Sequence, residues 1–206
     1  MTTYREAGSA DELRNKRQQI LEAAYIVFSR KGYHRATVDE IIALADTGKG
    51  TVYNYFNNKE QLFYTLIHEI SEPFEANLQQ VIKSEDLPLA KIKRLIRLFL
   101  VFYVRHADLW RVMMHEVRGF GSESYSNFKE GQREKYAARF TETIGTFQTV
   151  LQEAAANGDI KSCEISKIAF GLYSVIVTLV FQKLVDESID ETADKIADIF
   201  LYGIAK

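Results

Sequence analysis

The residues whose types and spacing predict chemistry lie between Thr37 and Phe56, in the run TVDEIIALADTGKGTVYNYF. Thr37 and Glu40 have the spacing of a capping box, in which a hydroxyl and a carboxylate satisfy two free amides at the start of a helix. The segment 46–48, Asp-Thr-Gly, is typical of a tight turn, because Asp tolerates a left-handed backbone and Gly adopts it readily. A second short helix is predicted to follow from Lys49 to about Phe56.

This second helix is apolar on only one side. Val52 and Phe56 share a face at 100° per residue. The residues predicted on another face are Gly50, Thr51 and Asn54. The inward residues of the preceding helix are predicted to be Ile41, Leu44 and Ala45. Two short helices joined by a tight turn form a helix-turn-helix, whose second helix is the kind that enters the major groove of DNA.

The segment from Arg17 to Leu66 resembles the tetracycline-repressor (TetR) family of transcription regulators. The resemblance is carried by the run from Gly48 to Phe56, KGTVYNYF after the glycine, and by the residues that follow it, Lys59, Glu60 and Leu62. Three residues depart from the family pattern: Asp46 stands where Gly is usual, Gly48 where a polar residue is usual, and Ile42 where Ala is common. None of these departures removes a residue that is expected to face DNA.

The resemblance implies a set of DNA contacts. The implied contact residues are Thr37, Lys49, Gly50, Thr51, Tyr53, Asn54, Tyr55 and Lys59. Lys49 would reach a phosphate or a guanine edge, the tyrosine hydroxyls would bind phosphates, and Asn54 would read adenine. Thr37 and Lys59 lie at helix starts, where free amides favour a phosphate. For two of these residues an alternative to DNA contact stays open. The ring of Tyr53 could pack in the core, and Lys59 could be an ordinary solvated lysine.

The composition predicts an all-α protein. The chain has 206 residues but only two prolines, and its apolar residues recur at helical spacing over long stretches. The resemblance implies about nine helices, with a three-helix helix-turn-helix DNA-binding domain at residues 9–58 and a larger helical ligand-binding and dimerisation domain at residues 59–206. Residues 1–8 are predicted to be a disordered arm, followed by a helix from Ser9 to Lys31 that stops at Gly32.

The remainder of the chain is predicted as further helices and one loop. Asn58 is predicted to cap the helix that follows the helix-turn-helix. After that helix, further helices are predicted at about 89–106, 107–117, 127–156, 164–186 and 192–205, with a loop at 119–126. The last two helices are apolar around much of their circumference, which fits either a partner-covered surface or the core of a monomer. The resemblance favours a homodimer formed through these two helices.

Aromatic residues are concentrated in the middle helices. The residues predicted to bind a ligand are Phe99, Phe102, Tyr103, Trp110, Met113, Met114, Phe140 and Phe147. Flat aromatic walls and adaptable Met side chains suit a pocket for an apolar ligand, but aromatic residues at helical spacing also suit an ordinary core. The resemblance implies a small, largely apolar effector. Arg97, Arg111 and His115 are either anchors for a ligand anion or solvated charges.

The formal net charge of −2 at pH 7 gives no general sign of nucleic-acid binding. Basic residues nevertheless predominate between residues 13 and 37, where Glu22 is accompanied by Arg14, Lys16, Arg17, Arg30, Lys31 and Arg35. Such a cluster is the electrostatic footprint expected of a DNA-facing surface, although it also fits a solvated helix face.

Other classes of function are disfavoured by what the sequence lacks. The four histidines show no metal-ligand spacing and there is no glycine-rich phosphate loop, so no catalytic residue, metal or cofactor is predicted. The longest uncharged apolar run, 168–181, is too short to span a membrane, and no signal peptide is predicted, so a cytoplasmic protein is expected. The favoured partner is a double-stranded DNA operator. The competing interpretations are a helical scaffold that no longer binds DNA and, less favoured, an enzyme.

Overall fold

The computed structural model describes the backbone of residues 3–118, 130–185 and 188–204, and the side chains of residues 15–114, 138–185 and 188–201. These residues form nine helices, which confirms the predicted all-α fold. Their bounds are α1 Thr3–Arg35, α2 Val38–Leu44, α3 Lys49–Tyr55, α4 Lys59–Lys83, α5 Pro88–Arg105, α6 Ala107–Arg118, α7 Glu130–Asn157, α8 Ile165–Phe181 and α9 Ile189–Ile204. The predicted loop at 119–126 and the predicted helix start at 127 lie outside the described residues.

The N-terminal helix begins earlier than the sequence predicted. It starts at Thr3, so the prediction of a disordered arm over residues 1–8 was wrong for residues 3–8. Ala and charged residues with long side chains propagate a helix readily, and a single interior Gly costs only about 1 kcal/mol relative to Ala. Gly32 interrupts the helical backbone with φ 76° and ψ 168°, at the position where the sequence predicted the stop.

Two compact units divide α4 between Ser71 and Glu72, and α6 between Arg111 and Val112. The first unit contains α1, α2, α3 and the beginning of α4. Its core includes Phe28 and Phe63, whose rings meet edge to face with centroids 4.9 Å apart. The predicted domain boundary between residues 58 and 59 is a functional division and stays a prediction.

The second unit is built around α5, which contacts α7, α8 and α9. Pro88 occupies the first turn of α5, where its missing amide hydrogen is not needed. One side of α5 is buried over its whole length and includes a lysine, Lys91. The Lys91 ammonium lies 3.0 Å and 3.1 Å from the two carboxylate oxygens of Glu153 in α7, and donates to the Ile82 carbonyl in the last turn of α4 at 3.3 Å.

The ends of the later helices differ in detail from the prediction. α7 ends at Asn157 and is followed by Gly158 with φ 78°, a left-handed conformation that Gly adopts readily. α8 ends at Phe181 rather than near residue 186, because Lys183 adopts φ 55° and turns the chain. The Leu184 amide then donates to the Leu179 carbonyl at 2.8 Å, which closes the helix end. α9 begins at Ile189, three residues before the predicted start.

None of the described helices combines the length and the apolar character that crossing a bilayer requires.

Candidate functional site

The start of α2 is fixed by the capping box that the sequence predicted. The Thr37 hydroxyl accepts a hydrogen bond from the Glu40 amide at 3.3 Å, and the Thr37 amide donates to the Glu40 carboxylate at 3.1 Å. Lys31, at the end of α1, also binds this carboxylate. The hydrogen bond from Lys31, followed by that from the Thr37 amide, holds the pKa of Glu40 below its ordinary value. The carboxylate is therefore kept charged where it caps the helix.

The turn between α2 and α3 places their apolar sides together. Asp46 adopts φ 46°, the left-handed conformation that the sequence predicted, and Gly48 caps α3 with an extended backbone. Ile41 and Ala45 of α2 are buried, as are Val52 and Phe56 at α3. The prediction that Leu44 faces inward was wrong: Leu44 is 50% exposed. A helix of seven residues is too short for its periodicity alone to fix which end residues are covered.

The opposite side of α3 faces outward. Lys49, Gly50, Tyr53 and Asn54 are all exposed, and they recur one turn apart, so they form one continuous surface. Thr51 and Tyr55 flank this surface and are half-buried. Tyr53 is 42% exposed, so its ring is not part of the core. The arrangement can present an ammonium, a phenol and an amide to one ligand surface.

Lys49 has a partner that the sequence did not indicate. Its ammonium lies 3.2 Å from a carboxylate oxygen of Asp39, in the first turn of α2. Both side chains are well exposed, at 66% for Lys49 and 74% for Asp39. Ten residues separate them in the sequence, and only the path of the chain through the turn brings them together. The outward surface of α3 is therefore bordered by a negative charge.

Lys59, at the start of α4, holds other parts of the first unit together. Its ammonium donates to the carbonyls of Tyr33 at 2.9 Å, Ala36 at 3.0 Å and His34 at 3.4 Å. The same ammonium lies 4.6 Å from the centroid of the Tyr33 ring. It thus satisfies carbonyls at the end of α1. The DNA contact predicted for Lys59 stays a prediction, but its ammonium is already occupied.

The basic cluster is less open than its sequence suggested. Arg17 pairs with Glu69 of α4 and lies 5.8 Å from the centroid of the Phe56 ring, and Lys31 pairs with Glu40. The exposed cations that form no ion pair with any described residue are Lys16, Arg30 and Arg35. The side chain of Arg14 lies outside the described residues.

The aromatic residues of the second unit pack against one another. Phe99 contacts Phe147 with ring centroids 4.7 Å apart, and Phe102 contacts Trp110 at 5.0 Å. The remaining predicted ligand residues of this unit are Tyr103, which is buried, and Phe140, which is half-buried. Met113 and Met114 are buried and belong to the first unit. All eight are thus mainly packed side chains, and their predicted role in ligand binding stays a prediction.

The two arginines considered as ligand anchors have carboxylate partners. Arg97 pairs with Asp190 of α9, and Arg111 pairs with Asp108 at 3.0 Å. The side chain of His115 lies outside the described residues. A groove of about 470 Å³ runs between α4 and α7 and is lined by none of the eight predicted residues. Its charged lining residues are Glu72, Glu75, Arg139 and Glu142.

Comparison with known proteins agrees with the geometry of the first unit. Residues 20–65 match the family model described as bacterial regulatory proteins, tetR family. The matched segment contains α2, the turn and α3 in full. The chain belongs to the TetR family.

Individual TetR-family relatives extend the similarity beyond the helix-turn-helix. The chain is 26% identical over 197 residues to the transcriptional regulator QacR of Staphylococcus aureus, which covers 93% of this chain and 100% of QacR. A chain from Clostridium perfringens named as a fatty acid metabolism regulator is 27% identical, with a TM-score of 0.76 and coverage of 91% and 99%. The structure of FadR from Bacillus subtilis in complex with stearoyl-CoA shares the fold, with a TM-score of 0.71, 21% identity and coverage of 91% and 98%.

These TetR-family proteins are transcriptional regulators and not enzymes, and this protein is likewise a DNA-binding transcriptional regulator. The sequence motif identified the family correctly. What the sequence did not reveal is the pairing of Arg17, Lys31 and Lys49 with carboxylates. Their partners Glu69, Glu40 and Asp39 look like ordinary surface residues until the fold is known.

Proposed function

We propose that this protein is a homodimeric repressor that binds a palindromic DNA operator and is released from it by a small, largely apolar ligand. The observation that carries the proposal is the outward surface of α3, where Lys49, Tyr53 and Asn54 project from a helix whose other side is anchored by Val52 and Phe56. A short, firmly seated helix with exposed polar groups is what major-groove binding requires.

Each residue of this surface has a proposed role. Lys49 donates to a phosphate or a guanine edge, and Asn54 reads an adenine edge with its amide. The hydroxyls of Tyr53 and Tyr55 bind phosphates. The remaining proposed contacts, at close backbone approaches or helix starts, are Thr37, Gly50, Thr51 and Lys59. Residues 9–58 are proposed to be the DNA-binding domain, and residues 59–206 the ligand-binding and dimerisation domain. The protein is proposed to act in the cytoplasm, where its operator lies.

The DNA-binding proposal is tested by two substitutions. Lys49→Ala and Tyr53→Ala are expected to abolish specific binding to the DNA upstream of the protein's own gene, because each removes a group from the exposed surface and not from the core. Fluorescence anisotropy at several salt concentrations measures the affinity and its salt dependence. Glu22→Gln is the matched control, since it changes an exposed residue of α1 and should leave binding intact. Tight binding by both alanine variants at physiological salt would refute the assignment.

The homodimer is supported by the outer faces of α8 and α9. Phe170 of α8 is 41% exposed and Ile199 of α9 is 72% exposed, although both are large and apolar. The two helices are neighbours, because a Cβ placed on Gly171 would lie 3.9 Å from the Phe200 ring. Burying such apolar surface in a twofold interface would stabilise the pair, at about 25 cal/mol per Å² removed from water.

Ile199→Glu is expected to convert the dimer into monomers, since it places a charge in the centre of the proposed contact. Light scattering coupled to size-exclusion chromatography measures the mass. Leu87→Glu is the control, because Leu87 is equally apolar and exposed but lies between α4 and α5. A wild-type protein that is monomeric at micromolar concentration, or an Ile199→Glu variant that stays dimeric, would refute this part of the proposal.

The effector is proposed to bind beside the aromatic cluster. The indole N–H of Trp110 is buried and has no hydrogen-bond partner among the described residues, which leaves a donor available to an acceptor group on a ligand. The rings of Phe102 and Tyr103 both lie edge to face with Trp110. FadR of Bacillus subtilis, which shares this fold, holds stearoyl-CoA, a molecule with a long acyl chain.

Release from DNA follows if the ligand changes the distance between the two α3 helices of the dimer. They must lie about 34–36 Å apart to reach successive major grooves, and a coupling of about 1–3 kcal/mol lowers affinity 5- to 150-fold. Trp110 is the only tryptophan in the chain, so its fluorescence reports ligand binding directly. Stearoyl-CoA and a panel of aromatic hydrocarbons are titrated separately into the protein. A compound that is an effector should shift the Trp110 emission and release DNA over the same concentration range. A compound that releases DNA without changing the emission would place the effector site elsewhere.

A further inference from the structure

The ion pair between Asp39 and Lys49 joins the first turns of two different helices. Asp39 is the second residue of α2 and Lys49 is the first residue of α3. Their charged atoms lie 3.2 Å apart at the edge of the outward surface of α3, and both side chains are largely exposed. Exposed ion pairs of this kind contribute little to folding stability. The pair therefore calls for an explanation in terms of what the surface binds.

A carboxylate is unfavourable beside a phosphate. If Lys49 bound the DNA backbone, Asp39 would hold a second negative charge within a few ångströms of the same phosphate, and the two anions would repel. A base pair in the major groove is a different ligand, because it presents donors and acceptors side by side. Guanine offers its O6 and N7 as acceptors, and its paired cytosine offers the N4 amino group as a donor.

Lys49 and Asp39 present the complementary arrangement. The ammonium is a donor with three hydrogens, and the carboxylate 3.2 Å away is an acceptor with no hydrogen. We infer that Asp39 is a specificity-determining residue and that the Lys49–Asp39 pair reads one G·C base pair in each half-site. Lys49 donates to guanine O6 and N7, and Asp39 accepts from cytosine N4. This inference rests on the proposed DNA-binding function and chooses a base edge over a phosphate for Lys49.

The DNA site that is needed to test this inference is obtained by selecting duplexes of random sequence with the wild-type protein. A G·C pair is expected at one symmetric position of each half-site. The affinity for that site and for the duplex with A·T at the same positions is then measured for the wild type, Asp39→Ala and Asp39→Asn. Asp39→Ala removes the acceptor and is expected to lower the preference for G·C about tenfold per half-site. Asp39→Asn keeps an acceptor oxygen and is expected to retain part of the preference.

Glu22→Gln is the matched control for loss of one negative charge in the first unit. Glu22 is exposed and lies in α1, and among the described residues its carboxylate accepts a hydrogen bond from Gln18 of the same helix at 3.2 Å. Its preference for G·C over A·T should equal that of the wild type. Asp39 takes no part in the capping box between Thr37 and Glu40, so its substitution should leave the fold intact. The thermal melting temperature of each variant checks this.

Three outcomes have distinct meanings. If the wild type selects no duplex at all, the proposed function itself fails. If the wild type binds but Asp39→Ala gains affinity equally for every duplex, Asp39 is merely a repulsive charge and the inference is overturned. If Asp39→Ala leaves both affinity and preference unchanged, the pair does not contact DNA and the inference is equally overturned.

Discussion

Replacing Glu153 by Gln is expected to destabilise the second unit more than replacing Lys91 by Met, although Lys91 is the more deeply buried partner. The Lys91 side chain is 6% exposed, whereas the Glu153 side chain is 40% exposed. Removing the counterion from the buried Lys91 ammonium leaves that charge away from water and without an opposite charge beside it, with only the Ile82 carbonyl and a neutral amide to accept its hydrogen bonds. Removing the buried charge leaves a carboxylate that water can still reach.

The structure sets the size of the difference. Breaking a fully buried pair by removing one partner costs about 3–5 kcal/mol, and the partial exposure of Glu153 together with the polar Gln should reduce this to about 2–3 kcal/mol. Met in place of Lys91 keeps the apolar stem and loses the hydrogen bond to the Ile82 carbonyl, which is a change of about 1–1.5 kcal/mol. Lys93 lies two residues away and pairs with Asp194 and Asp198 on the surface. Lys93→Met should therefore change stability by less than about 0.5 kcal/mol.

Urea denaturation of the wild type and the three variants measures the free energy of unfolding. The protein concentration must be the same in every experiment, because subunit association adds to the apparent stability. The expected order of loss is Glu153→Gln, then Lys91→Met, then Lys93→Met. A larger loss for Lys91→Met than for Glu153→Gln would show that the reasoning from burial is wrong. Equal losses for Lys91→Met and Lys93→Met would show that the buried pair contributes no more than a surface pair.

Three further predictions concern single positions. Gly32→Ala should lower the melting temperature by an amount equivalent to about 1–3 kcal/mol, because no neighbour would clash with the new Cβ but φ 76° with ψ 168° is a conformation nearly restricted to Gly. Burial, and secondarily the charge of Arg105, hold the pKa of His106 below its ordinary value of 6.5. The folded state thus favours neutral His106. Its contribution to the free energy of unfolding should be fully present above pH 6.5 and should be lost as the pH falls through the lowered pKa. Denaturation curves recorded across this pH range should show a smaller loss of stability for His106→Gln than for the wild type. Thr37→Ala should cost about 1 kcal/mol in urea denaturation by removing the cap of α2, whereas Thr37→Ser should keep most of the stability.

The features that the sequence predicted correctly are those decided by neighbouring residues. The capping box needs only Thr37 and Glu40, three positions apart, and the turn needs only the left-handed tolerance of Asp46. Gly32 was likewise identified as a stop from the end of a helical pattern, and it adopts a positive φ. Burial of Val52 and Phe56 followed from a period of 3.6 residues. In each case the energetic preference lies within a few residues of chain.

The features that the sequence did not predict depend on distant parts of the chain. Lys59 binds carbonyls 23–26 residues before it, and Lys91 pairs with a carboxylate 62 residues after it. Lys91 did carry one signal, because it falls among Pro88, Ile92 and Leu95 on the apolar side of α5, where a charge demands a buried partner. No pattern could name Glu153 as that partner, since charge pairing across helices depends on how the helices are packed.

The first turn of α2 combines two electrostatic requirements that oppose each other. Asp39 and Glu40 are favourable there because carboxylates interact well with the positive end of a helix dipole. The same carboxylates compete with a phosphate for the free amides, and the amides of Thr37 and Glu40 are already bonded within the capping box. A phosphate bound through the Thr37 amide would have to displace the Glu40 carboxylate, which Lys31 keeps in its charged form. A phosphate contact by Thr37 itself is therefore limited to its hydroxyl hydrogen. The salt dependence of operator binding should arise from lysine and arginine side chains, because neutral amides release no counterions.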